Sequence, residues 1–335
     1  MHLFELTRAL IDIDSVTPNE FEIGNYLYEH LRPLAEKYDG QIELMPVVPQ
    51  RNNVFVNWGK PDVVLSTHMD TVPPFIPSRE DDERIWGRGA CDTHGIGASM
   101  IKAAEALLEE GVRNIGLLFV VGEEVDGLGA SKANETPPGS RYLINGEPTE
   151  NLLGLGTKGA IRVELEAKGR SVHSAYAELG DSAINKLLDN LQALRQVEWP
   201  VDELLGDTTL NIGTISGGRA ANVIPDQAAA SVAIRVVSGL DELKELIFAT
   251  LDDRVMATIS SEVPAVHLKS VPGFETTIVK YATDIPKLTN WGQPLLIGPG
   301  TIQVAHSVAE HVPKKQLLEA VELYKSLVKQ LQATQ

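Results

Sequence analysis

The sequence predicts an α/β protein in which a mixed sheet with helices on both faces is interrupted by a smaller α+β domain. Three observations support this fold class. Apolar runs typical of strands alternate with helical segments over residues 1–158. From Gly159 onward the strands alternate apolar and polar residues, which is typical of a half-exposed sheet. After about Ser270 the chain returns to loops rich in proline and glycine and ends in an amphipathic helix. A chain of 335 residues also suggests about two domains.

The first part of the chain reads as two helices followed by alternating strands and helices. Residues 2–13 predict a short helix, and Thr17-Pro18-Asn19-Glu20 predicts a capping box that opens a second helix through about Lys37. Because α/β sheets bind ligands at strand ends, we expect the functional site there. The remaining predicted elements are strands at QIELMPVV, NVFVNW, DVVLS and IGLLFVV, and a helix at IGASMIKAAEALLEE.

The middle of the chain predicts a β-α-β-β-α-β order, which is the order of a ferredoxin-like sandwich. Asp181 is expected to cap its first helix, which carries Ile184, Leu187 and Leu191 on one stripe. The predicted elements are a strand at IRVELEAKG, this helix, strands at TLNIGTIS and AAASVAIRV, a helix at DELKELIFATL and a last strand around PAVHLKS.

Composition restricts the class of function. A net charge of -17 repels phosphate groups, so we expect neither nucleic acid nor an anionic membrane surface as a partner. The single cysteine, Cys91, leaves no intrachain disulfide and fits a reducing compartment, where it reads most simply as a small buried residue. The first residues lack the basic and apolar pattern of a signal peptide, and no apolar run is long enough to span a membrane. We therefore expect a soluble, cytoplasmic protein.

Side chains that bind metals stand at five places, mostly just after an apolar run. Carboxylates and imidazoles collected at one edge of a sheet suit a pair of divalent cations and predict a two-metal hydrolase. Because His306 follows the small domain and the other candidates precede it, residues 159–270 are expected to be inserted between residues 1–158 and 271–335. The candidates are His68 and Asp70 after VVLST, Asp92 in GRGACD, Glu123 and Glu124 after IGLLFVVG, Glu147 in INGEPT, and His306 in GPGTIQVAH.

Spacing assigns tasks to some of these residues. His68 and Asp70 leave a strand on the same face, so the carboxylate can hold the proton of the imidazole nitrogen that binds no metal. Glu123 and Glu124 point in different directions, so one can bind metal while the other acts as a base. Taken singly, each segment has a simpler interpretation as a surface histidine, a solvated acidic loop or a turn. The glycines around Asp92 resemble a dinucleotide loop, but no strand leads directly into them.

Together these segments resemble the metal-dependent amidohydrolases and exopeptidases that include acetylornithine deacetylase, succinyl-diaminopimelate desuccinylase, aminoacylase and carboxypeptidase G. The resemblance covers nearly the whole chain in the family's order. It is carried by STHMDTVP, GRGACDTHG, VVGEEVDGLGA, NGEPT, GRSVHSAYAELGDSAI, NVIPDQAAASVAIR and GPGTIQVAH.

The resemblance implies a site for two zinc ions, for which cobalt or manganese could substitute. His68 and Glu147 would hold one ion, Glu124 and His306 would hold the other, and Asp92 would bridge them. Asp70 would orient His68, and Glu123 would be the general base. In this family the peptide bond after the bridging aspartate is usually cis, which here is Asp92-Thr93.

The resemblance also implies that the inserted domain is a lid that commonly pairs two subunits. His173 matches a lid histidine that reaches the partner subunit's site and donates to the developing oxyanion. Arg235, thirteen residues after Asn222, matches an arginine that binds the substrate carboxylate, with Asn222 nearby. The structural alternative for His173 is a loop residue that satisfies backbone groups.

The substrate expected from the resemblance is a small N-acyl amino acid. The GEPT and GPGTIQVAH segments are most similar to acetylornithine deacetylase, which favours an acetylated basic or related amino acid. Acetyl-lysine, acetylcitrulline, succinyl-diaminopimelate and, for a carboxypeptidase, short peptides are the alternatives. A catalytically silent binding protein is disfavoured because Glu123 is present.

Three departures from the family pattern affect the expected lid and substrate. Ser174 is not followed by the usual proline, Ser182 replaces an asparagine, and Thr93-His94 replaces a pair such as methionine-lysine. His94 is therefore either a specificity residue or a tolerated substitution.

Overall fold

A computed structural model describes residues 1–334 of the chain. The helices are α1 (Leu3–Ile11), α2 (Phe21–Lys37), α3 (His94–Glu109), α4 (Leu128–Ala133), α5 (Ala183–Arg195), α6 (Leu240–Thr250) and α7 (Lys314–Ala333), with short 3-10 turns at Ser174–Leu179 and Ile285–Lys287. The strands are β1 (Gln41–Val48), β2 (Arg51–Trp58), β3 (Val63–His68), β4 (Arg79–Glu80), β5 (Arg84–Trp86), β6 (Ile115–Val120), β7 (Tyr142–Asn145), β8 (Leu153–Thr157), β9 (Gly159–Lys168), β10 (Val201–Asp202), β11 (Gly206–Asp207), β12 (Thr209–Gly217), β13 (Gln227–Val236), β14 (Val255–Val263), β15 (Val266–His267), β16 (Thr276–Val279), β17 (Gln293–Leu296) and β18 (His311–Pro313). No helix within residues 1–334 is long and apolar enough to cross a membrane.

The chain divides into two compact units. The first unit contains Met1–Leu155, Leu268–Thr277 and the chain from Thr283 onward. The second unit contains Gly156–His267 and Ile278–Ala282.

The first unit is built on a six-stranded mixed sheet with the order β1-β2-β6-β3-β7-β17. The strands β1, β2 and β6 are antiparallel neighbours, whereas β6, β3, β7 and β17 run parallel to one another. Because parallel strands end at the same edge, the residues that follow these four strands meet on one side of the unit.

Apolar residues cover both faces of this sheet. In β3, Val63 and Leu65 face a core that includes residues of α1, α2, α3 and α7, whereas Val64 faces a smaller core with α4 and Trp291. A strand that is buried on both faces reads as a continuous apolar run, which explains why VVLS and IGLLFV were recognisable in the sequence. The predicted mixed sheet with helices on both faces is confirmed.

The second unit contains a four-stranded antiparallel sheet with the order β12-β13-β9-β14. Leu187 and Leu191 of α5 and Leu243 and Ile247 of α6 pack in one core with the alternating apolar residues of β9 and β13. The chain order β9-α5-β12-β13-α6-β14 is that of the predicted ferredoxin-like domain.

Two predicted helix caps are wrong. The helix α2 begins at Phe21 without a capping box, because the Thr17 hydroxyl donates to Asp70 Oδ2 at 2.6 Å and the Glu20 carboxylate binds Arg51. The helix α5 is capped by Ser182, whose Oγ accepts the N–H of Asn185 at 3.2 Å. At α2 no side chain caps the helix, whereas at α5 the residue after Asp181 makes the contact that the sequence pattern assigned to Asp181.

The last strand of the small domain was also predicted in the wrong place. The strand is β14 in VMATISSEV, while the PAVHLKS segment supplies only the two residues of β15, which pair with β8. The strand β14 lies at the edge of its sheet, where exposed serine and glutamate residues are tolerated and mask the apolar alternation.

The close approach of α4 to Val121, the residue after β6, requires glycine at position 129. A Cβ atom there would overlap the backbone nitrogen and oxygen of Val121, so we expect Gly129→Ala to lower the free energy of unfolding by about 1–3 kcal/mol. Gly24 in α2 is the matched control, because a Cβ atom there meets only ordinary contacts and alanine favours the helix by roughly 0.5–1 kcal/mol. Urea unfolding of both variants measures the difference, and equal stabilities would contradict the proposed packing.

Candidate metal centre

The candidate ligands follow the ends of the four parallel strands. His68 is the last residue of β3, Glu123 and Glu124 follow β6, and Glu147 follows β7. The chain reaches His306 after β17, through a turn at Gly298 and Gly300. The parallel pairing therefore brings segments distant in sequence to one edge of the sheet.

Asp92, two residues before the start of α3, lies between two imidazoles. Its Oδ1 is 3.0 Å from His68 Nε2, and its Oδ2 is 3.3 Å from His306 Nε2. His306 Nε2 is also 3.0 Å from Glu124 Oε1. Ligand atoms of His68, Asp92 and Glu124 all lie within 4.8 Å of one another, and these three residues could hold a metal ion. The Asp92-Thr93 peptide is cis, as the resemblance implied.

The hydrogen bonds among these residues shift their pKa values. Hydrogen bonds to Asp92 and Glu124 raise the pKa of His306 to about 10. Burial opposes the charged form of His68, but bonds to Asp70 and Asp92 prevail and raise its pKa well above the usual value. Burial likewise favours neutral Asp92, but bonds from His306 and His68 outweigh it and lower the pKa of Asp92. A divalent cation would therefore compete with protons for both imidazoles.

Glu147 and Glu123 add two further carboxylates. Glu147 is buried, its Oε1 has no hydrogen-bond partner, and burial raises its pKa well above the usual value. Burial also raises the pKa of Glu123. The charge of His68 lowers this pKa, whereas the charge of Asp284 raises it further, and the net shift is upward. Buried carboxylates together with the imidazole nitrogens of His68 and His306 are the kind of donor set that zinc and similar cations take. The residues therefore fit a metal centre.

Asp70 has a second task that the sequence did not indicate. Its carboxylate accepts the backbone N–H of Glu123 at Oδ1 (3.0 Å) and of Glu124 at Oδ2 (3.2 Å). Asp70 Oδ1 lies 3.6 Å from His68 Nδ1, and the backbone oxygen of Asp70 lies closer, at 3.0 Å. The residue thus joins the end of β3 to the loop that carries both glutamates.

Asp284 is a carboxylate that sequence reasoning missed. It is 2% exposed, its Oδ2 has no hydrogen-bond partner, and burial raises its pKa to about 7, against the opposing charge of His68. Its charge also acts on Glu123 and Glu147. It lies in a loop in the segment ATDIPK, without the preceding apolar run that marked the other candidates.

His94 packs inside the first unit. Its Nε2 lies 3.2 Å from both Ser15 Oγ and the backbone oxygen of Met69, and burial lowers its pKa to about 4. A neutral, buried imidazole held by these two groups favours the interpretation of His94 as a structural substitution.

Three predicted residues belong to the second unit. His173 and Asn222 are neighbours there, because the backbone of Ser174 donates to the Asn222 oxygen at 2.9 Å and His173 pairs with Val223. Arg235 is exposed near the end of β13, opposite Ala160 and Thr209, whereas Asn222 precedes the start of that strand. The expectation that Asn222 lies near Arg235 is therefore wrong within one subunit, because nearly the whole strand separates them.

Comparisons with known proteins identify the family. A peptidase M20 domain-containing protein of Schizosaccharomyces pombe is 37% identical over 343 residues, which cover 98% of this chain and 84% of the relative. This chain belongs to the M20 peptidase family. A probable carboxypeptidase of Aspergillus niger is 37% identical over 96% of this chain and 88% of its own length. A family model described as a peptidase dimerisation domain matches residues 155–257.

Solved structures agree on the fold of this M20 peptidase. A tripeptidase of Staphylococcus aureus superposes with a TM-score of 0.83 at 20% identity, covering 98% of this chain and 97% of that chain. A dinuclear metal-binding M20 peptidase of Bacillus subtilis gives a TM-score of 0.72 at 18% identity, covering 99% and 98% of the two chains. The resemblance drawn from the sequence is confirmed at the level of the family: the protein is a hydrolase that acts on amide bonds.

Metal binding to this M20 peptidase should release protons. His306 has a pKa of about 10 in the arrangement described, so it is protonated at pH 7 and must lose its proton to become a ligand. Titration calorimetry with zinc in buffers of different ionisation enthalpy should give different apparent enthalpies, and affinity should fall as the pH is lowered from 8 to 6. Removing the imidazole in His306→Ala should reduce the proton release. A binding enthalpy independent of the buffer would contradict the assignment.

Proposed function

We propose that this chain is a two-metal amidohydrolase that removes the acyl group from an N-acyl amino acid. One observation carries the proposal: Asp92 presents its two oxygens to two different imidazoles, from His68 and His306, at the edge where four parallel strands end. A carboxylate that faces two histidines on opposite oxygens is suited to bridging two cations.

The proposed ligand sets are those that the resemblance implies. His68 and Glu147 would hold one ion, and Glu124 and His306 would hold the other, with Asp92 shared. The unpartnered Oε1 of buried Glu147 and the 3.0 Å contact between His306 and Glu124 support these sets. We propose zinc as the metal, with cobalt or manganese as possible substitutes, because imidazole and carboxylate ligands accept all three.

Glu123 is the proposed general base. When bound, the metals would polarise the substrate carbonyl and make a water molecule more acidic. Burial raises the pKa of Glu123, which brings the carboxylate nearer to the range where it can both accept and return a proton. Glu123 would take a proton from the attacking water and deliver it to the leaving amine. Asp70 fixes the backbone of Glu123 and so positions this carboxylate.

Three residues of the second unit are proposed to stabilise the oxyanion and bind the substrate. His173 Nδ1 accepts the N–H of Ala175 at 3.1 Å, so its neutral imidazole carries the proton on Nε2. An Nε2–H donor suits stabilisation of a developing oxyanion. Exposed Arg235 would bind the substrate carboxylate as a bidentate donor, and Asn222 would contact substrate beside His173.

We further propose a homodimer formed through the second unit, for which the matched dimerisation domain is the support. A dimer also offers a way to bring Asn222 of one subunit and Arg235 of another to one substrate.

We also propose a cytoplasmic location, for which the single buried cysteine is the support.

The acyl amino acid is proposed to be an acetylated basic one, of the acetylornithine type. Six carboxylates collect around this edge of the sheet, and Asp284 is not among the proposed ligands or the base. The negative charge of Asp284, when this carboxylate is ionised, favours a substrate with a positive side chain. A carboxypeptidase acting on short peptides is the second candidate, because the relatives of Aspergillus niger and Aspergillus fumigatus are named probable carboxypeptidases.

Replacing the proposed base should separate chemistry from metal binding. In Glu123→Gln the carboxylate can no longer accept a proton, so kcat should fall at least 1000-fold while metal content stays unchanged, which is within the range seen for general bases. Glu109→Gln at the exposed end of α3 is the control and should keep both properties. Elemental analysis and initial rates measure the two quantities, and unimpaired turnover in Glu123→Gln would remove it from the mechanism.

A substrate panel distinguishes the two candidate functions. The zinc-loaded enzyme would be tested on acetylornithine, acetyl-lysine, acetylcitrulline, succinyl-diaminopimelate and dipeptides with lysine at the carboxyl end. The proposal predicts the highest kcat/KM for acetylornithine or acetyl-lysine. Acetylcitrulline is the neutral control for acetylornithine and should be a poorer substrate. Preference for dipeptides would establish the carboxypeptidase instead.

A further inference from the structure

Arg88 and Glu310 form a buried ion pair next to the segments that contain Asp92 and His306. Arg88 Nη1 donates to Glu310 Oε2 at 2.5 Å, and the two side chains are 2% and 1% exposed. Burying two charges carries a desolvation penalty that their attraction often fails to repay, so such a pair is weak evidence of a stabilising role. Its other contacts indicate what it does.

The second carboxylate oxygen of Glu310 contacts the segment that contains Asp92. Glu310 Oε1 accepts the backbone N–H of Asp92 at 3.3 Å and lies 3.8 Å from the thiol of Cys91. These contacts fix the backbone from which the Asp92 carboxylate extends toward His68 and His306. Glu310 itself is not one of the proposed ligands.

The guanidinium of Arg88 contacts the loop that contains His306. Its Nη1 lies 3.3 Å from the backbone oxygen of Ser307, and its Nη2 lies 3.5 Å from that of His306. His306 has φ of +62°, a left-handed conformation that a residue with a side chain adopts only when its surroundings enforce it. Arg88 therefore binds the carbonyl groups of the turn that directs His306 Nε2 at Asp92 and Glu124. The Nε atom of Arg88 donates to the backbone oxygen of Pro74 at 3.3 Å, which connects the guanidinium to a third segment of the chain.

We propose that Arg88 and Glu310 form a ligand clasp, a pair of positioning residues that fixes Asp92 and His306 relative to each other before metal binds. Asp92 and His306 are more than 200 residues apart in sequence, and the clasp connects their backbones through one ion pair. The inference rests on the proposed function only in taking Asp92 and His306 as metal ligands. The pair touches the backbones of both ligand segments and, among its described contacts, no ligand side-chain atom.

Metal affinity in two clasp variants tests the proposal. Glu310→Gln keeps an acceptor oxygen but removes the charge opposite Arg88. Arg88→Lys keeps the charge but loses the planar fork that reaches His306 and Ser307. We expect zinc to bind at least one of its two positions about 10- to 100-fold more weakly in both variants, as measured by competition with a chromophoric chelator. Asp62→Asn is the control, because it breaks the ion pair with Arg141 in the same unit, away from the ligand loops.

The only cysteine supplies a readout that does not depend on activity. The Cys91 thiol is fully buried between Glu310 and the backbone oxygen of Thr301, 3.7 Å away. Opening of the clasp would expose it to an aromatic disulfide reagent. Under native conditions the labelling rate should rise in both clasp variants, stay at the wild-type value in Asp62→Asn, and fall in the wild type when zinc is added.

The outcomes separate the clasp from a merely structural role and from the ligand assignment. A structural role would lower the unfolding midpoint and leave the zinc affinity and Cys91 labelling of the folded protein unchanged, which would overturn the proposal. If Glu310→Gln does not fold, Arg88→Lys decides the question by the same measurements. Asp92→Ala is the reference for the ligand assignment. Loss of zinc in Asp92→Ala with wild-type affinity in Arg88→Lys would reject the clasp alone, whereas retention of both ions in Asp92→Ala would reject the ligand assignment on which it rests.

Discussion

Carboxylates that meet near the ends of four parallel strands repel one another, and this repulsion is the constraint on which the candidate metal centre depends. Asp92 is stabilised as an anion by two imidazoles, while Glu123, Glu147 and Asp284 are left with raised pKa values because burial and like charges oppose ionisation. A sheet edge of this kind is unfavourable unless positive charge enters it. The fold thus collects negative charge that divalent cations would neutralise. This need for cations is the physical basis of the proposed activity.

Contacts to backbone groups hold this arrangement, in addition to the contacts between side chains that face the site. Asp70 binds the N–H groups of both glutamates after β6, and Glu310 binds the N–H of Asp92. The left-handed turn at His306 is likewise held through carbonyl groups. Because these contacts act on main-chain groups, the ligand loops can be fixed without occupying the nitrogen and oxygen atoms that a metal needs.

Much of the fold and most of the site could be predicted from the sequence because both depend on local pattern. Strands such as β3 and β6 are continuous apolar runs, and the histidine or glutamate that follows such a run falls at the sheet edge by necessity. Asp284 and the pairing of Arg88 with Glu310 could not be predicted, because neither follows an apolar run and the pair joins residues over 200 positions apart. The cap predicted at Thr17 was displaced by a tertiary contact with Asp70, the cap predicted at Asp181 is supplied by the next residue, Ser182, and the strand predicted near His267 was misplaced because the true strand has an exposed sheet edge.

The central claim is that His68, Asp92, Glu124, Glu147 and His306 bind two neighbouring cations in this M20 peptidase. Its most direct test is a crystal structure of the zinc-loaded protein with anomalous data collected on both sides of the zinc absorption edge. The account predicts two peaks, both within coordination distance of Asp92, one beside His68 and Glu147 and the other beside Glu124 and His306. Peaks at other residues, or none at this edge of the sheet in a protein that retains its zinc, would contradict it.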